Sequence, residues 1–566
     1  MKKTIAILFC MMPFSVLLAQ ELPKWADKAK KAVFSIVTYT KDNQILSTGN
    51  GFYIDETGTG VSDYSLFKGA ERAVIITANG KELPIKYMMG ANDMYDVVKF
   101  KADFDKKAEA LQPAPAASAI GQTVYLLPYS TQKESKGQTG SVAKVDTIGD
   151  QTYYYTLNMQ TTDKTVSCPI MNETGQVVGM IQKNSDPKST ESYAIGIRYL
   201  TNLNISALSV NDMALNSIGI KKGLPEDESQ ALVFLYMASS VYENERYLEL
   251  LNDFITLYPN NSEGYLRRAT YYANIGDETH NALATQDLET MLKVDEKKDD
   301  AHYNIAKFVY TYQMNLGDKQ PYADWTFERA SNEISEALGI AQEPIYYQLQ
   351  GDIYFAMQKY AEAFTAYAEV NKSNLASPAT FYAAAKAKEL TEGADKKEVI
   401  ALLDSAIVRY AKPYGKDAAP YLYERARVKA DNEDFRGAVG DYNEFYDAML
   451  GQTSAEFYFI RSQAEMQCRM YQQAVNDMNK AVELDPNNVL YWVEKGGVHL
   501  RVNQVGEAIK ALEKAVGLDP ENAPAYRMLG YSQIQNKEKE KGLANLQKAK
   551  DLGDEVADGL LQKYNK

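Results

Sequence analysis

Only three histidines occur in the 566 residues, and the first of them is His280. That scarcity excludes any chemistry in the first 279 residues that depends on an imidazole as a base or a metal ligand. Cysteine is equally sparse, at Cys10, Cys168 and Cys468. No Cys/His grouping has metal-ligand spacing, so neither a metal nor any other cofactor is expected. Cys168 and Cys468 fall in segments of different character, which argues against a structural disulfide. Both are expected to be small buried side chains. Local basic clusters are missing too. Lys and Arg total 61 against 75 Asp and Glu, a net charge of −14. A nucleic acid or an anionic membrane surface needs a basic face, so neither is expected as the main partner.

Long apolar runs are absent apart from one. Lys2 and Lys3 precede an apolar stretch from Ile5 to Leu18, and Leu17-Leu18-Ala19 stands before Gln20. A run shorter than about 18 apolar residues reads as a cleavable secretory signal over residues 1–19, not as a spanning helix. Phe9 before Cys10 speaks against lipidation. The expectation is an exported chain, periplasmic or secreted, from a Gram-negative bacterium, with no direct membrane insertion.

What is present divides into two halves. Residues 24 to about 205 alternate on a two-residue period in AVFSIVTY, GFYID, AVIITA, LPIKYMM, DVVKFKA, TVYLLPY, TYYYTLNM, GQVVGMIQK and YAIGIRYL, separated by turn residues. Many short strands at this spacing predict a barrel or sandwich. The stretch LQPAPAASAIGQ, residues 111–122, reads as a crossover between two β units.

From about residue 228 the period becomes helical and repeats. A step of 34 joins Ala474, Ala508 and Gly542; Tyr458, Trp492 and Tyr526; Met478, Leu512 and Leu546; and Ala481, Ala515 and Ala549. Pro486 and Pro520 close two units. Small residues let two helices approach closely, and proline ends the second helix. This is the tetratricopeptide repeat (TPR) signature. Degenerate copies upstream bring the expected total to about nine helical hairpins, stacked as a superhelical solenoid. Residues 206–227 are expected to connect the halves. The expected organisation is residues 1–19 as signal, 20–205 as an all-β unit, 206–227 as linker and 228–566 as an all-α repeat region.

The order GNGFYIDETGTGVSDYSLF, YDVVKFKA, GQTVYLL and VSCPIMNETGQVVGMIQ resembles the two-barrel, trypsin-like serine proteases of the HtrA/Deg type. That resemblance implies a histidine base at Ser65, the orienting aspartate at Asp96, the nucleophile at Val166 and the oxyanion-hole glycine at Lys164. Only Asp96 matches. The domain is therefore expected to be a pseudoprotease, with Asp96 kept as a structural hydrogen-bonding residue. An alternative is an atypical peptidase using Ser167 or Cys168 with Lys164 as base, its substrates recruited by the repeats. A third reading is a periplasmic assembly factor or holdase.

In tetratricopeptide arrays, the first helix of each hairpin lines a concave groove. The resemblance places Gln348, Asp352, Phe355, Val493, Leu500, Arg527 and Tyr531 there, as contacts for a protein or peptide partner. The Lys/Asn set that clamps a C-terminal carboxylate in some members is missing from 455–554, so that ligand is not expected. The leading expectation is a non-enzymatic interaction scaffold.

Overall fold

The computed structural model describes residues 22–104, 107–131, 137–148, 152–186 and 188–565. The expected signal segment, with Cys10, lies outside the described residues. The chain divides into two compact units, the boundary falling between Val294 and Asp295.

The first unit begins with two six-stranded antiparallel barrels. Strands β1 (Val33–Tyr39), β2 (Ile45–Tyr53), β3 (Thr59–Ser62), β4 (Arg72–Ile76), β5 (Glu82–Asn92) and β6 (Val97–Ala102) close in the order β1-β2-β3-β6-β5-β4. Strands β7 (Thr123–Leu126), β8 (Gln138–Thr147), β9 (Tyr153–Asn158), β10 (Pro169–Met171), β11 (Val177–Ile181) and β12 (Ser192–Gly196) close in the order β10-β11-β12-β9-β8-β7. Alternation sends Val98 and Phe100 into the first barrel, and Val124 and Leu126 into the second. A separate apolar cluster with Phe52, Val97, Met180 and Ile195 contains residues of both barrels. The pattern YAIGIRYL predicts a strand through Leu200. The strand instead ends at Gly196, and Ile197–Asn202 turns helical, burying Ile197 and Leu200 in that cluster.

Residues 206–227 are packed, not loose. Met88 N–H donates to the Lys221 carbonyl at 2.8 Å, and Gly223 N–H returns to the Met88 carbonyl at 2.8 Å. Val210, Leu215, Ile218 and Ile220 enter the first barrel's cluster, which continues into Phe234, Leu235, Leu251 and Phe254 of the first helical pair.

From Glu228 to Asp551 helices run in nine consecutive hairpins, from Glu228–Ala238 with Asn244–Leu257 to Ala523–Gln535 with Lys539–Asp551; the helix Glu555–Tyr564 follows. Two hairpins lie in the first unit and seven in the second. The 34-residue step marks their contacts: Met478, Leu512 and Leu546 are fully buried, as are Ala481, Ala515 and Ala549. A Cβ on Gly530 would sit 2.7 Å from the Gly542 carbonyl oxygen, so only glycine permits these two helices their spacing.

Candidate functional site

The site expected from the sequence is built on two turns of the first barrel and one loop of the second. β3 ends at Ser62. Asp63 is extended, and the 3-10 turn Tyr64–Leu66 presents Ser65 to solvent. Asp96 sits between β5 and β6 in left-handed conformation, at φ 48°. That backbone aims its carboxylate at the turn: Ser65 N–H donates to Asp96 Oδ1 at 2.6 Å, and Ser65 Oγ donates to the same oxygen at 2.7 Å. The structure thus brings two of the three expected positions together.

The third position lies on the loop before β10. A capping box between Thr162 and Thr165 shapes the 3-10 turn Asp163–Thr165, and Val166 follows it, half-buried. Val166, the position expected from the sequence for a nucleophile, carries only a hydrocarbon side chain. Ser167 is fully buried at φ 61°, the conformation a glycine would take more easily. Its hydroxyl donates to the Asp63 carboxylate. Cys168 points into the second barrel's core, and burial pushes its thiol up to about 12.

A polar seam ties the barrels together here. Asn50, on β2, spends its amide protons on the Lys164 and Val166 carbonyls, both at 3.0 Å. Ser62 Oγ donates to the Asn50 carbonyl at 2.6 Å. Burial pushes the Asp63 carboxyl up to about 6; the Ser167 hydrogen bond opposes the rise and the nearby Asp96 charge adds to it. Sequence reasoning missed Asn50 and Asp63. The signal available was a polar residue beside the strand segments GFY and GVS, at Asn50 and Asp63.

The expected groove residues all lie in the second unit. Gln348 and Phe355 are half-buried on Pro344–Ala356, Phe355 edge-on to Tyr360 at 5.4 Å. Asp352 accepts from the Tyr367 hydroxyl of its own hairpin at 2.7 Å, and burial raises its carboxyl above the usual range. Val493 and Leu500 are half-buried on Val489–Arg501. Arg527 pairs with Asp554 at 2.8 Å, and the Tyr531 ring meets Tyr564 at 6.4 Å. Those two are therefore engaged by the helix Glu555–Tyr564 and the Asp554 that caps it. Two further first helices, Pro378–Leu390 and Ala419–Asp431, carry a charge network that was overlooked: Lys386 reaches Glu389 and Glu424 at 2.8 Å each, and Arg427 reaches Glu424 at 2.7 Å. The i, i+3 pairs Lys386–Glu389 and Glu424–Arg427 were visible in the sequence, whereas Lys386–Glu424 joins two helices.

Comparison with known proteins agrees with this division. Residues 49–180 match the family described as trypsin-like peptidase domain. Residues 461–523 and 493–557 match the family described as tetratricopeptide repeat. A curated relative, the Protein SGT1 homolog of Oryza sativa subsp. japonica, is 34% identical over 87 residues, which cover 15% of this chain and 23% of that protein. Fewer than a quarter of the relative's residues are thus spanned.

Proposed function

We propose that a trypsin-like domain that has given up catalysis is joined here to tetratricopeptide repeats that hold a protein or peptide, and that the chain works as an exported scaffold in the cell envelope. The observation that carries this is the Ser65–Asp96 pair. The oxygen that would orient an imidazole instead accepts from a serine side chain and its backbone amide, with no nitrogen able to take a proton. Val166 offers no group to deprotonate. The neighbouring alternatives are spent: Ser167 is buried on Asp63, and the Cys168 thiol stays protonated near neutral pH. Export rests on the Lys2-Lys3 and Ile5–Leu18 pattern.

A fluorophosphonate and a thiol-reactive probe, applied to the full chain beside Ser167→Ala and Cys168→Ala, test the first half. Neither probe is expected to label Ser167 or Cys168, so any thiol labelling falls on the half-buried Cys468 and persists in both variants. Labelling that disappears in one of these variants would restore the peptidase reading. Crosslinking in cells followed by mass spectrometry tests the second half. A scaffold gives one or two reproducible partners, whereas a holdase gives a broad set.

A further inference from the structure

The outer face of the first barrel carries a cavity of about 660 Å³, away from the Ser65 turn, between β5, β6, the segment 201–226 and the helix Asn244–Leu257. Such a volume is within the range of sites that enclose a small organic molecule. Residues 99 and 101 fall on the same side of β6, opposite the inward Val98 and Phe100, so two lysines stand together in its wall.

Lys99 is only 5% exposed, yet its acceptors are neutral: the Thr201 carbonyl at 3.0 Å and Asn204 Oδ1 at 2.5 Å. Lys101 is bonded to the hydroxyls of Thr57 and Thr59, the latter at 3.2 Å. An ammonium has three protons to donate, so each lysine keeps one. A charge this buried is costly unless a counter-charge meets it. The carboxylates at hand do not supply one by contact. Asp253 is paired with Lys221 at 2.7 Å. Asp55 is occupied by its own turn, accepting from Thr57 N–H at 2.8 Å, Thr57 Oγ1 at 2.6 Å and Thr59 N–H at 3.1 Å. Glu226 is exposed at the edge. Burial outweighs the attraction of Glu226 and Asp55 and holds Lys99 below the usual lysine range. Met89, Ile205, Leu224 and Leu257 add apolar surface to a wall that also carries Lys86, Lys221 and Thr256.

We propose that this cavity binds a small organic anion, its carboxylate or phosphate head on the Lys99 and Lys101 ammonium groups and its apolar body against Met89, Ile205 and Leu257. A site of this kind would let a metabolite act on the region where the first barrel meets the first helical hairpin.

Titration calorimetry on the full chain tests it with 3-phenylpropionate, phenyl phosphate, inorganic phosphate and phenethylamine. At least one of the two organic anions is expected to bind saturably at one site, and the comparison between them identifies the head group. Lys99→Met and Lys101→Gln are each expected to weaken that binding at least tenfold, and so is Leu257→Trp, which puts a bulkier ring at the cavity's rim. If Lys99→Met fails to fold, the other two decide. No saturable binding of either organic anion to the folded chain would overturn the proposal. So would tighter binding of phenethylamine, or affinity unchanged in Lys101→Gln and Leu257→Trp. Inorganic phosphate binding as tightly as phenyl phosphate would overturn the role given to the apolar wall.

Discussion

Asp63 and Glu465 are carboxyls that folding makes harder to ionise, and their pH signatures follow from that. Glu465 is 3% exposed on Ala455–Gln467, and its Oε2 finds no partner among the described residues. Burial first, then the Asp477 charge, pushes it up to about 8, against the pull of Arg461. An unfolded glutamate ionises near 4.3. Between these values the folded chain binds a proton that the unfolded chain has lost, so stability is full below about pH 4 and declines as pH rises toward 8. Asp63 adds a smaller decline between about pH 4 and 6. Glu465→Gln keeps the shape without the titration. Urea unfolding at pH 5 and pH 8 is expected to show wild type losing on the order of 2–4 kcal/mol more than the variant over that interval. Equal losses would mean that Glu465 ionises freely in the folded chain.

Among the helical pairs, one backbone device recurs with the repeat and a second stands at a single crossing. Gln358, Glu433, Arg469, Asn503 and Lys537 all have φ between 58° and 65°, each just after the first helix of its hairpin. A left-handed residue is a common way to end a helix, and glycine adopts it with least strain. Lys537 is exposed, so Lys537→Gly removes strain without removing packing; a gain of up to about 1 kcal/mol is expected. Gly530→Ala, by contrast, drives a methyl against the Gly542 carbonyl and is expected to cost about 1–3 kcal/mol. Thermal melts of the two variants moving in the same direction would contradict this reading of the hairpins. The 34-residue spacing made the helices legible because buried small and aliphatic residues repeat one by one. A third device stayed hidden. Arg268 with Asp287, Arg425 with Asp441 and Arg461 with Asp477 form bidentate pairs between the helices of a hairpin, all at 2.6–2.9 Å. Charged residues at such offsets look like a solvated face until the fold buries the aspartates. In the β region, Gln138–Thr147 escaped notice because only one of its ten residues is buried, so the apolar alternation that marks a strand is missing. The Ser65–Asp96 correspondence was readable from motif order, whereas the Asn50 and Asp63 seam depends on loops that meet only in three dimensions.

At the scale of the whole first unit, barrel and helices are one folding problem. The cluster inside the first barrel, with Phe34, Phe67 and Phe100, runs through Ile205, Val210, Leu215, Ile218 and Ile220 to Phe234, Leu251 and Phe254 of the first helical pair. Each fully buried aromatic of this kind contributes about 3–5 kcal/mol when compared with alanine. Cutting the chain at 205, where the two-residue period ends, would strip Val210, Leu215, Ile218 and Ile220 from the barrel together with the 2.8 Å backbone bonds between Met88 and the segment 221–223. It would also uncover the apolar residues they meet. Two fragments that both begin at Leu22 separate the alternatives. The one ending at Val294 is expected to unfold cooperatively and to leave a hydrophobic dye dark. The one ending at Ile205 is expected to melt at least 10 °C lower, or to aggregate, and to light the dye strongly, because a loss of several kcal/mol is a large part of a domain's total stability. A shorter fragment as stable as the longer one would show that the barrels carry their fold alone and that the shared core is contact without dependence. The expected result instead makes the barrels the cap on which the first helical hairpin is built, a structural reason to retain a protease-like domain whether or not it cuts anything.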